Sequence, residues 1–451
     1  MIKKKVWLLI FAALLLLILS CTLGESSPSL SDSDSPDQPQ DEPVPVSPEN
    51  LQPQSAPPVS GNLIQPEDFE YLGAFRLPDA SGGSDWQYSG HGLTYRPANE
   101  QAENTGESAG SLFGFGHDQN LQVSEISIPH PIISKNLDDL NTATTLQPFA
   151  DVTGGIFVPE EMTIPRAGIA YLDGHLYFTF GQHIQDFEPS HGVAGLNLAN
   201  PQAEGAWVFN GYTNYVTNDY LFEIPPEWAA ELGGRALASG RAREGLWSGR
   251  GPGLFAYNPA SVENGALTDI APLLLYGVQQ EGMPDIASDE SMAVVNYHDA
   301  DHWWGGAWLT AGDNAAVIFA GTKALGAEWY GYANGVVWEH GCDENNSCPE
   351  MPDWPYDDRG FWAEDYQAQI IFYDPAQLVS VANGELESWQ PQPYAVLDLT
   401  EYLFSPELDF ENYKRDLVGA IAFDRENGLL YVIERLADEA KSVIHVWRVT
   451  R

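Results

Sequence analysis

Residues 168–181 read GIAYLDGHLYFTFG, two short runs of β-branched, aromatic and small residues on either side of Asp173-Gly174. Asp-Gly suits the positive φ angles of a tight hairpin turn, so the stretch predicts two antiparallel strands. The pattern recurs. Residues 419–434, GAIAFDRENGLLYVIE, turn at Asn427-Gly428, and residues 306–321, GAWLTAGDNAAVIFAG, turn at Gly312-Asp313-Asn314. A fourth unit pairs GLTYRP (92–97) with SLFGFGHD (111–118) across a long polar insertion. A fifth and more degenerate unit is RALASGRAREGLWSGRGPGLFAYNP (235–259).

A further strand follows each of the four clear hairpins: QVSEISIP (122–129), HGVAGLNL (191–198), AQIIFYDP (368–375) and VIHVWRV (443–449). Long helical periodicity is absent, and PEWAAELGG (226–234) is the best helical turn. No single antiparallel unit that is apolar on both faces can bury itself, so repeated units stack around an axis. The chain is therefore expected to be all-β, a β-propeller of five to seven blades with five most visible. A pair of β-sandwich domains is the alternative. Five units spread over residues 63–451 make each much longer than the roughly 40 to 50 residues of a compact blade, which implies long loops or unseen blades.

FEYLGAFRLP (69–78) followed by SLFGFGHDQNLQVSEISIP (111–129) resembles an uncharacterised class of bacterial extracytoplasmic β-propeller proteins. The resemblance implies the fold over Phe69 to Arg451 and almost nothing about activity. Sheet edges left open at the two termini are an aggregation hazard that propellers avoid by completing the last blade with a strand from the other end. EYLGAFRL (70–77) is accordingly expected beside SVIHVWRV (442–449).

At the N-terminus, Lys3, Lys4 and Lys5 precede an apolar run from Val6 to Leu19. That run falls short of the roughly 18 to 20 residues that span a bilayer, which is the form of a secretory signal. Ile18-Leu19-Ser20-Cys21 resembles the lipobox of bacterial lipoproteins, which implies cleavage before Cys21 and acylation of its sulfur. The expected organisation is a signal peptide at 1–20, a lipid-anchored Pro/Ser/Asp-rich disordered linker at 21–62, and one propeller at 63–451. Localisation is then extracytoplasmic, at a membrane to which the anchor binds. In an oxidising compartment Cys342 and Cys348, which bracket five residues, are expected to form a local disulfide.

The chain carries 64 acidic and 20 basic residues, a formal net charge of -44, which repels phosphate backbones and excludes nucleic acid as a partner. No H-E-x-x-H or Walker A sequence appears, so zincin and NTPase readings lose their main supports.

Residues just before each inner strand should meet at one mouth of the central channel. His91, Arg166, Arg243, Glu244, Trp303, Trp304, Arg415 and Asp416 are the candidate ligand-binding set. His298, Asp299, Asp301 and His302 crowd the same region and are the candidate metal ligands. Arginine is scarce, yet Arg235, Arg241, Arg243 and Arg250 cluster in a glycine-rich stretch, either to hold an anionic group or to form structural ion pairs. Asp343, Glu344, Asp353, Asp357, Asp358, Glu364 and Asp365 gather hard oxygen atoms around the two cysteines, so calcium is the one cofactor considered.

The function expected from these features is binding of a glycan or other polar ligand at the channel face. An extracytoplasmic carbohydrate-active hydrolase or lyase and a protein-interaction scaffold are the alternatives.

Overall fold

The computed structural model describes residues 62–98, 110–162, 164–182, 187–242, 249–277, 292–338 and 348–450. The strands form five sheets. After β1 (Phe69–Arg76) comes blade I, β2 (Leu93–Arg96), β3 (Ser111–Phe115), β4 (Val123–Ser127) and β5 (Thr145–Ala150). Blade II is β6 (Arg166–Leu172), β7 (His175–Gly181), β8 (Pro189–Gly195) and β9 (Glu204–Phe209). Blade III holds β10 (Tyr220–Glu223), β11 (Leu237–Arg241) and β12 (Gly253–Tyr257). A small hairpin, β13 (Val262–Glu263) and β14 (Ala266–Leu267), then extends blade II, and β15 (Ile270–Leu274) completes blade III. Blade IV is β16 (His302–Ala311), β17 (Asn314–Tyr332), β18 (Arg359–Tyr373) and β19 (Ala395–Asp398). Blade V is β20 (Val418–Asp424), β21 (Leu429–Asp438) and β22 (Lys441–Val449), with β1 on its outer edge.

The inner strands β2, β6, β10, β16 and β20 neighbour one another in a closed ring, β2 beside both β6 and β20. This is a five-bladed β-propeller. The paired-sandwich alternative fails because each sheet packs against two neighbours. Five apolar clusters fill the five gaps between successive blades. Period-two alternation explains this: on β7, Leu176 and Phe178 join the cluster shared with blade I, whereas Tyr177 packs towards blade III. β7 is thus apolar on both faces.

Glycine lies near the start of the inner strands of blades I, II, IV and V, where their backbones nearly touch at the axis. A Cβ at Gly419 would lie 2.4 Å from the Gly90 carbonyl oxygen, and one at Gly305 would lie 2.9 Å from that of Gly419. In the β6–β7 turn, Asp173 has φ 47° and Gly174 φ 80°, as the Asp-Gly dipeptide demands.

The closing strand lies where it was expected. β1 pairs antiparallel with β22 from Phe69↔Val449 to Arg76↔Val443, with a one-residue register shift between Tyr71 and Gly73. A buried polar chain fastens it: Tyr71 Oη lies 2.9 Å from His445 Nδ1, and His445 Nε2 lies 2.8 Å from a Glu434 carboxylate that also accepts from the Phe404 and Ser405 amides. For a neutral ring, Nε2–H donates to Glu434 and Nδ1 accepts from Tyr71.

The fifth unit needs a correction. Its inner strand is β10, and RALASGR forms the second strand, β11. A short helix α1 (Pro226–Glu231) separates the two. β10 has four residues, no opening glycine and a Pro225-Pro226 stop, so nothing in its pattern resembles the other inner strands.

Candidate ligand site

All five inner strands begin on one face of the ring, here called the start face. The segments leading into them converge on a narrow neck. His91 precedes β2, Arg166 opens β6, Asn218 and Asp219 precede β10, Trp304 lies early in β16, and Asp416 precedes β20. His91 packs edge-on to the Trp304 indole at 5.1 Å between ring centroids. The guanidinium carbons of Arg166 and Arg435 lie 4.7 and 5.9 Å from the Trp304 ring. Arg166 reaches Asp219 at 3.7 Å, and Arg241 reaches the same carboxylate at 2.9 Å. Asp416 binds His302 Nδ1 and lies 3.4 Å from Arg435.

Of the candidates that begin inner strands, His91, Arg166, Trp304 and Asp416 are brought together from four blades. Trp303 is not with them. It points into the cluster between blades III and IV and is 3% exposed. Arg415 turns outward to Asp358 at 2.9 Å and stacks near Trp362 and Phe410. Arg243 and Glu244 lie outside the described residues. The inner position they were expected to fill belongs to Asn218 and Asp219, which sequence reasoning missed together with β10. Trp304 is itself buried at 4% exposure, so neither of the adjacent indoles offers a face to a sugar ring.

Burial, and then the charges of Arg435 and Arg166, push the His91 imidazole well below its ordinary pKa, so it is neutral. Burial also lowers Arg166, helped by Arg241. Burial acts to raise Asp416, but the charges of His302 and Arg435 outweigh it and hold the carboxyl far below the usual range.

The candidate metal ligands are dispersed. Asp301 is caged by Lys323 Nζ at 2.8 and 3.0 Å and by the Ala324 and His298 amides. His298 Nδ1 and the Asp299 amide both face Glu328, and His302 belongs to the neck. No group of three or more His, Cys, Asp or Glu residues among the described ones is arranged to hold a metal ion. In the acidic stretch, Asp358 pairs with Arg415 and Glu364 accepts from the Ala327 amide, while Cys342, Asp343 and Glu344 lie outside the described residues. The arginine cluster is likewise split: Arg235 pairs with Asp269 at 2.6 Å on the blade III rim, whereas Arg241 is in the neck.

Beside the neck, on the same face, lies a cavity of about 830 Å³. Tyr88, Asp85, Asp409, Asn412, Lys414, Asp438, Glu439 and Lys441 are among its walls. Tyr88, Leu436 and Glu439 of the lining have φ of 54°, 48° and 54°, and Tyr413, between two lining residues, has φ 60°. Such left-handed conformations cost side-chain-bearing residues on the order of 1–3 kcal/mol each and collect at functional sites. Tyr413 and Trp354 are 50% and 55% exposed, joined by a 2.9 Å hydrogen bond from the indole N–H, and Tyr88 packs edge-on to Tyr413. No local pattern marks this platform, because its members come from loops of unrelated blades.

The other end of the channel is a cavity of about 400 Å³ lined by residues of all five inner strands, among them Tyr95, Tyr171, Phe222, Ala307 and Phe423. An ion pair between Arg425 and Glu223, at 2.7 Å, crosses from blade V to blade III there.

No family model matches the chain, and no curated protein does. Among solved structures, a mannose phosphorylase from Leishmania mexicana in complex with phosphate ion is similar over 87% of this chain and 88% of that one, at 8% identity and a TM-score of 0.36.

Proposed function

We propose that this propeller binds a glycan at the start face, in the cavity beside the neck. The observation that carries the reading is the strained cavity wall joined to an exposed aromatic platform. Tyr88, Tyr413 and Trp354 supply flat apolar faces, and Asp85, Asp409 and Asn412 supply acceptors and an amide for sugar hydroxyls. Trp354→Ala and Tyr413→Ala remove exposed rings, so binding should fall about tenfold or more while the melting temperature changes little. A glycan array probed with the mature chain, followed by calorimetry on its best hit, makes the test. Retention of no saccharide, or unchanged affinity in both variants, overturns the reading.

The proposal includes export and anchoring through Cys21, and a Cys342–Cys348 disulfide. A Cys21→Ser chain should take up no fatty-acid label. Alkylation without reduction should leave both loop cysteines unlabelled by mass.

A further inference from the structure

Among the described residues, two guanidinium groups of the neck lack a close acceptor. The Arg166 guanidinium makes no hydrogen bond to any described residue, its nearest carboxylate contact is 3.7 Å, and the side chain keeps 18% of its exposure. Arg435 meets Asp416 only at 3.4 Å and Asp118 at 3.8 Å. His91 Nδ1, Asn218 Nδ2 and Asp219 Oδ1 are buried with no hydrogen-bond partner among the described residues. Arg241 adds a third guanidinium, so three of the scarce arginines gather at one point of a chain with formal charge -44. Against them stand the two buried carboxylates of Asp219 and Asp416. Burying guanidinium groups that lack close acceptors is costly, and a bound oxyanion, which only accepts, would relieve it.

The neck and the cavity are lined by neighbouring stretches of chain. Tyr88 lines the cavity and His91, three residues on, lies in the neck; Lys414 and Asp416 divide in the same way, as do Leu436 and Arg435. A ligand held in the cavity can therefore present one group to the guanidinium pair beside Trp304. We propose that the neck recognises a carboxylate, so that the saccharide taken by this face is an acidic one, with Arg166 and Arg435 as its specificity-determining residues. The planar fork of arginine matches a carboxylate in a way that an ammonium does not. The inference rests on the glycan reading above.

Calorimetry with three probes separates the two ideas: a galacturonate trimer, a galactose trimer and free galacturonate. The acidic trimer should bind at least about tenfold more tightly than the neutral one, and Arg166→Gln or Arg435→Gln should abolish that advantage while leaving the neutral trimer unaffected. Arg166→Lys keeps the charge without the fork and should recover only part of it. Equal affinity of the two trimers, or an advantage that survives both glutamine variants, overturns the inference and leaves the glycan reading standing. If neither trimer binds, the glycan reading falls, and free galacturonate judges the neck: failure to bind the wild type overturns the inference, and binding that both glutamine variants lose supports the carboxylate site. Should one glutamine variant fail to fold, the other carries the comparison.

Discussion

The two ends of the channel are built from the same five strands and differ in almost everything else. At the start face the strands are closest, charged groups are buried, and Asp416, His302, Arg435, Arg166 and Asp219 form one connected set. At the end face the strands diverge around an open cavity, and its Arg425–Glu223 pair stays partly in water, with side chains 24% and 37% exposed. The difference lies in the carboxylates: Asp219 and Asp416 are withdrawn from water at the start face, where charge weighs more on stability, whereas Glu223 stays partly in water and contributes little.

The largest test of that contrast is Asp416→Ala. It strands Arg435 and His302 without their carboxylate in a buried neck, which should cost about 3–5 kcal/mol in chemical denaturation. A loss below about 1 kcal/mol would show that the neck is as well hydrated as the other end. Next comes Gly419→Ala. The new Cβ meets backbone, which cannot rotate aside, and about 1–3 kcal/mol should be lost. Gly306→Ala, nearer the end face, meets the Phe222 ring, a side chain with room to adjust, and should cost less.

Acid should separate the two ends as well. The folded state holds the Asp416 carboxyl below its unfolded value, so the stability it contributes is fully present above about pH 4, the ordinary carboxylate range, and is lost as pH falls below it. Glu434, lowered against burial by its bond to His445, adds to the loss in the same direction. Melting temperature should fall steeply below about pH 4 in the wild type and less steeply in Asp416→Asn. The smallest effect is expected for Glu223→Gln at the end face, under about 1 kcal/mol. A larger cost would mean that the cross-channel pair is shielded from water.

Much of the fold is legible in the amino-acid sequence. Asp173-Gly174 and the glycine that opens the inner strands of blades I, II, IV and V are local signals of turns and of close backbone approach. β10 escapes such reading because it is short and runs straight into Pro225-Pro226. The site is legible in part. His91, Arg166, Trp304 and Asp416 precede or open recognisable inner strands, so topology alone aims them at the axis, whereas Trp303 faces elsewhere because side chains alternate along a strand, and Arg415, in the segment before β20, turns out to Asp358. Arg435 carries no such signal: it sits near the end of β21, a second strand, and reaches the neck from the side.

Composition and period thus determined by themselves that this chain is all-β and built of repeated antiparallel units, since a unit that is apolar on both faces cannot bury itself alone. They also set which ends of which strands meet. Only the tertiary structure decided which of the converging side chains are buried together, that Arg166 and Arg435 have no carboxylate nearer than 3.4 Å among the described residues, and that loops from blades I, IV and V assemble an aromatic platform beside a cavity. Those outcomes depend on distances between residues hundreds of positions apart, which no local propensity encodes.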